Sequence, residues 1–166
     1  HVAAAYAPSK TFNLAGLIGS FHVIYSSYLR DRICGHAHTT HYNEMNVLSM
    51  HALIGAYQPE GYEWLEELRT VLEGNARFAV DFIRKHFTGV DVAEPQGTYM
   101  LFLDCTEYCR KSGKSIDDLL RDGWKVGVGW QDGRAFGGPC HIRMNLALPR
   151  TRVEEAFERL RKYVFV

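Results

Sequence analysis

Apolar positions change their rhythm along the chain, and that rhythm predicts the elements. Val2-Ala3-Ala4-Ala5-Tyr6 is a short apolar run closed by Pro8 and Ser9, so residues 2–7 read as a buried strand. Phe21 to Tyr28 is a second short run, which periodicity leaves open between strand and helix. Residues 33–41, rich in His, Thr and Gly, read as a loop. From Asn43 to Tyr57 the positions Met45, Leu48, Met50, Ala52, Leu53 and Ala56 fit an amphipathic helix, and Pro59-Glu60-Gly61 punctuates the chain. Leu65, Leu68, Leu72, Ala76, Ala79, Phe82 and Ile83 then recur at helical spacing in a long helix that Gly89 closes.

Beyond that helix the period shortens. Thr98 to Cys105 alternates as a strand does. Ser115 with Asp117 and Asp118 suits a helix N-terminus, and Gly123 suits its C-cap. Lys125 to Val128 and His141 to Leu146 read as strands on either side of a Gly-rich loop over 129–139. Pro149 and Thr151 introduce a final helix with Val153, Ala156, Phe157, Leu160 and Tyr163 on one face. This order predicts an α+β layer with a mostly antiparallel sheet, in a chain of the α/β class. The first fifty or so residues read as part of another domain.

Composition removes several function classes. The 166 residues carry zero formal net charge, so nothing points to nucleic acid or to an anionic membrane surface. Apolar stretches break well short of the ~20 residues that span a bilayer. The first residues lack the basic and apolar regions of a signal peptide. Cys34, Cys105, Cys109 and Cys140 have no disulfide-framework spacing, which suits a reducing, cytoplasmic setting. A chain that opens at His1 in mid-element reads as a tag scar or as a piece of a longer protein.

Two segments carry candidate chemistry. Lys10 lies where a strand gives way to a loop, beside Ser9 and ahead of Gly16 and Gly19. An ordinary loop lysine is simply exposed; one with a lowered pKa can form a Schiff base. Arg143 lies on the strand His141-Ile142-Arg143-Met144-Asn145-Leu146. Its planar fork suits a carboxylate, of a substrate or of a neighbouring helix.

The run Pro8-Ser9-Lys10-Thr11-Phe12-Asn13-Leu14-Ala15-Gly16-Leu17 closely resembles the cofactor-lysine segment of fold-type I pyridoxal-phosphate (PLP) enzymes, in particular the cystathionine β-lyase/C–S lyase branch of the aminotransferase class I/II family. The stretch Arg143-Met144-Asn145-Leu146-Ala147-Leu148-Pro149-Arg150 is similar to that family's Arg-x-Asn-x-Ala-x-Pro-Arg segment. Gly61-Tyr62-Glu63-Trp64-Leu65, Gln96-Gly97-Thr98-Tyr99-Met100 and Val126 through Gly137 resemble further family segments, in the family's order.

The resemblance implies the C-terminal part of a three-layer PLP-dependent transferase fold. Residues 1–57 would be the remnant of the large PLP domain and residues 58–166 the small domain. It implies that Lys10 holds PLP and shuttles the Cα proton, that Ser9 helps bind the cofactor, and that Arg143 binds the α-carboxylate of an amino-acid substrate. Asn145 and Arg150 take structural jobs. The activity implied is C–S β-lysis, with aminotransfer as the alternative. A non-catalytic small-domain module or inactive paralogue is the alternative of another class. The partners implied are a missing N-terminal half and a second copy in a homodimer. Without that half, which in the family holds the PLP ring and phosphate, the isolated chain is expected to be inactive. Two departures thin the phosphate site: many relatives have a serine where Ala7 stands and a basic or polar residue where Ile18 stands.

Other motifs fail on spacing. Gly113-Lys114-Ser115 resembles the end of a P-loop, but Tyr108 occupies the place of its first glycine. Gly127-x-Gly129 lacks a third glycine at Asp132. Cys34, His36, His38 and His41 are good zinc ligands without a second ligand pair, so no metal is expected. Cys105 and Cys109 read as core or helix-edge thiols, and Tyr62, Trp64, Phe78 and Phe82 as core aromatics.

Overall fold

The computed structural model describes residues 2–40 and 44–166. The chain divides into two compact units, residues 1–67 and 68–166, with the division falling inside one long helix.

In the first unit, strand β1 (Ala3–Tyr6) pairs antiparallel with β2 (Phe21–Ile24), in a register that sets Ala3 opposite Ile24 and Tyr6 opposite Phe21. β1 is a strand, as its apolar run predicts, but it is mostly exposed rather than buried. The open segment after residue 21 resolves as a strand followed by helix α1 (Ser27–Thr40). Residues 33–40, expected as a loop, are helical. Their His and Thr are only mildly unfavourable in helices, and Ala37 is the best helix former of all. The Thr39 and Thr40 hydroxyls donate back to the carbonyls of Gly35 and His36 at 3.0 and 2.9 Å. His41 and Asn43 lie outside the described residues. Helix α2 (Val47–Ala56) starts at Asn46, whose side chain accepts from the Ser49 amide at 2.9 Å. Pro59 opens helix α3 (Pro59–His86), where a missing N–H costs nothing. Gly61 lies in its first turn because a Cβ there would come 2.2 Å from the Ala56 carbonyl oxygen.

The second unit holds the core. A four-stranded antiparallel sheet runs in the order β3 (Asp91–Val92), β4 (Met100–Asp104), β6 (His141–Asn145), β5 (Gln131–Asp132). Leu101, Leu103, Ile142 and Met144 point to the buried face, as strand alternation requires. They pack with Ala79, Val80 and Ile83 of α3, with Leu119 of α5 (Ile116–Lys125), and with Val153, Phe157 and Leu160 of α6 (Arg150–Tyr163). The other face carries Phe102, His141 and Arg143 and stays half open.

Helix α4 (Thr106–Ser112) follows β4 directly, and Gly113 ends it at φ 71°. Ser115 caps α5 in a reciprocal box with Asp118. Gly123 is not the cap; α5 runs on to Lys125, and Gly127 supplies the positive φ beyond it. Gly123 instead sits under Trp130, where a Cβ would come 2.2 Å from the indole. The strand expected over residues 125–128 is absent; this stretch is the helix end and a turn, and the pairing starts at Gln131. Among the described residues no helix is long and apolar enough to cross a membrane.

Candidate active-site residues

Lys10 is presented on a turn anchored at both feet. Pro8 is buried at one end. At the other, the Phe12 amide donates to the Pro8 carbonyl at 2.9 Å. The buried Phe12 ring meets Tyr57, Tyr62 and Trp64 at 5.3, 6.2 and 6.5 Å. Tyr62 and Trp64 themselves remain 49% and 45% exposed, so they flank this anchor rather than form a closed core. Ser9, Lys10 and Thr11 make the tip, with Lys10 exposed and Ser9 half-buried.

The chain then turns back through Asn13 at φ 55° and Ile18 at φ 48°, either side of a 3-10 turn at Ala15–Leu17. A β-branched residue in the left-handed region costs on the order of 1–3 kcal/mol. The packing of α2 holds it there: the buried Ser49 hydroxyl donates to the Leu17 carbonyl. Phe12, Leu14, Ala52, Ala56, Gly61 and Trp64 line a shallow apolar cleft beside this loop.

These residues fit an aldehyde cofactor at the amine. Lys10 offers an exposed primary amine, with no carboxylate pairing it among the described residues. The phosphate side is sparse. Ser9 brings a hydroxyl, but Ala7 brings none and the Ile18 side chain is apolar and 88% exposed.

Arg143 sits at the centre of β6, with Phe102 of β4 opposite on one side and Gln131 of β5 opposite on the other. Its Nη1 donates to the Gln131 Oε1 at 3.1 Å. Its guanidinium lies 4.5 Å from the ring centre of Phe136, which projects from a 3-10 turn at Arg134–Phe136. No carboxylate pairs with it among the described residues, so it is oriented but not neutralised. In contrast Arg134, nine residues earlier, reaches both Asp117 and Asp132 at 2.6 Å.

The stretch that follows Arg143 is locked by backbone capture. The Asn145 side chain accepts from the Ala147 amide at 2.7 Å. The buried Asn75 amide of α3 donates to the carbonyls of Leu146 and Leu148 at 3.0 and 2.9 Å. Arg150 donates to the Gly74 carbonyl at 2.9 Å and to Glu154 at 2.7 Å, with its guanidinium over Phe78. Asn145 and Arg150 thus hold structure.

Gln131, Phe136, Ser49 and Asn75 were not singled out from sequence. Only Asn75 left a signal, a polar residue within the apolar stripe of Leu72, Ala76 and Ala79. The others depend on contacts 7 to 32 residues apart, across strands, from a turn to a strand, or between a helix and a loop. His36 and His38 lie on a helix, which turns their side chains apart. Among the described residues no group of three or more His, Cys, Asp or Glu is placed to hold a metal.

No family model matches the chain. It is 26% identical over 157 residues to cystathionine β-lyase PatB of Bacillus subtilis, covering 93% of this chain and 40% of that protein. Its structure matches cystalysin of Treponema denticola, which contains a pyridoxal 5'-phosphate cofactor, with a TM-score of 0.82 at 28% identity, over 96% of this chain and 40% of that one. It matches the PLP-bound C–S lyase of Staphylococcus hominis with a TM-score of 0.81 at 26% identity, over 96% and 41%. Aspartate aminotransferases are also among its relatives. The chain thus has the fold of the PLP-dependent transferases, of which it represents a C-terminal portion. Within that class its relatives are aminotransferases of class I/II and cystathionine β-lyases or C–S lyases. It spans about 40% of the length of the relatives it matches.

Proposed function

We propose that this chain supplies the cofactor lysine and the carboxylate-binding arginine of a PLP-dependent enzyme acting on α-amino acids, of the C–S β-lyase type. The observation that carries the reading is Lys10: the one lysine of residues 1–67, exposed at the tip of a turn whose two feet are buried. Lys10 would hold the cofactor, assisted by the Ser9 hydroxyl. Bound PLP supplies an electron sink for the pair left when Cα loses its proton. Arg143 takes the substrate carboxylate through a two-pronged hydrogen bond, which orients the Cα–H bond. The Lys10 amine would take the Cα proton as general base. Loss of the Cα proton and cleavage of Cβ–S would release the thiolate, which takes up a proton, and hydrolysis of the remaining enamine by water would give pyruvate and ammonia.

The aspartate aminotransferases among the relatives favour a second reading, in which the amino group passes to a keto acid and Cβ–S stays intact. In both readings the working enzyme is a longer, cytoplasmic protein that dimerises, with residues 1–57 finishing a large domain and 58–166 forming a small one. The isolated chain turns nothing over.

Borohydride reduction of the PLP-loaded parent enzyme, followed by peptide mapping, tests the reading. The pyridoxyl label is expected on Lys10; a label elsewhere, or none, sinks it. Pyruvate release from cystathionine, with and without a keto-acid acceptor, separates lysis from aminotransfer. A non-catalytic module or inactive paralogue would show neither.

A further inference from the structure

We infer that Gln131 is a positioning residue for Arg143, holding the guanidinium in place through a neutral carbonyl so that its charge remains for a substrate carboxylate. The inference rests on the proposed role of Arg143 and adds to it. Most arginines of residues 68–166 pair with an acid. Arg110, Arg121, Arg134, Arg150, Arg159 and Arg161 of the same unit each hold one. Arg143 instead has the amide of Gln131 at one nitrogen and the ring of Phe136 against its face. Both fix its direction, and neither contributes a negative charge.

The nearest acid on β5 is taken out of play. Asp132 adjoins Gln131, but its carboxylate is held by Arg134 at 2.6 Å and by the Arg134 amide at 2.9 Å. Arg134 also pairs with Asp117 of α5, so the turn that carries Phe136 is pinned at its base. The Gln131 carbonyl occupies only one N–H of Nη1. The guanidinium has four more N–H groups, enough for a two-pronged carboxylate contact.

The decisive variant is Gln131→Glu. It is nearly isosteric, and the site is exposed, so folding is not at risk. If Gln131 only ties β5 to β6, a glutamate does this as well or better, by pairing with Arg143. If Gln131 serves by its neutrality, that glutamate is a built-in competitor for the substrate. In the full-length PLP-loaded enzyme we expect Gln131→Glu to raise KM for the amino acid, and Kd for propionate measured by calorimetry, on the order of tenfold or more. Thermal stability should hold or rise, with kcat and cofactor absorbance little changed. Gln131→Leu, which orients less well but adds no charge, should weaken propionate binding by a smaller factor. Unchanged KM and Kd in Gln131→Glu, alongside large losses in Arg143→Ala, would overturn this inference and leave the role of Arg143 standing. If Arg143→Ala binds propionate as well as the parent, the role of Arg143 fails and the inference with it.

Discussion

Asn75 shows how one side chain can carry the geometry of a site it does not enter. Its amide sits buried in α3 and donates to the carbonyls of Leu146 and Leu148, directly after the strand that carries Arg143. The strand ladder ends at Asn145, and beyond it the Leu146 carbonyl also accepts from the Leu148 amide at 2.8 Å. Asn75→Ala removes both bonds; the Leu146 carbonyl keeps the Leu148 amide, so the expected cost is that of two lost hydrogen bonds, about 1–3 kcal/mol. Urea unfolding should show a lower midpoint with an unchanged slope. Asn75→Asp should be at least as damaging, because an ionised carboxylate would face two carbonyl oxygens with no donor. At this scale the sequence spoke unevenly. Lys10 and Arg143 stood out by their motifs, whereas Gln131 and Phe136 are ordinary residues until the register of β5 and β6 sets them against the arginine.

At the scale of elements, α5 is the clearest case of local code. Ser115 and Asp118 cap each other's backbone, and both were legible from the order Ser-x-x-Asp. The Ser115 hydroxyl, with its amide and Arg121 adding, holds the Asp118 carboxyl down to about 2 from 3.8. The folded pKa is therefore below the unfolded one. The stabilisation is fully present above about pH 4 and is lost as pH falls toward 2. Glu107, held down to about 2 by Arg110 and Lys111, acts in the same sense. Ser115→Ala should cost about 1 kcal/mol at neutral pH. It should also flatten the acid loss of stability, read as melting temperature against pH. Gly123 shows the limit of such reading. A glycine near a helix end suggests a cap, but here the ring of Trp130, seven residues on, demands the missing Cβ. Residues 33–40 show the same limit: their His, Thr and Gly argue for a loop, yet α1 carries through them.

Across the whole molecule the two units differ in how much they bury. The second owns almost all of the buried apolar side chains, and Cys105 is sealed among them. Burial, with Cys109, Cys140 and Asp104 nearby, pushes its thiol far above the ordinary range. Burial and a contact with Cys140 push Cys109 up to about 12. Cys34, on α1, is exposed. A thiol reagent at neutral pH should therefore label Cys34 first and Cys105 last, the latter only as residues 68–166 open. Peptide mapping over a time course checks this; Cys105 labelling as fast as Cys34 would contradict the buried core.

The sequence by itself determined what nearest neighbours decide. The 3.6-residue stripe made α3 and α6, the alternation made β4 and β6, Ser115 and Pro59 set helix starts, and the segments around Lys10 and Arg143 carried the family likeness. Tertiary structure decided what depends on residues far apart in the chain. It placed the short strands β3 and β5, whose two residues each are too few for a periodic signal. It set aromatics from residues 57–64 against Phe12 at one foot of the Lys10 turn, and it gave Arg143 a neutral partner 12 residues away. A local pattern records which face of an element is apolar; which side chain meets that face is set only when the sheet register and helix packing close.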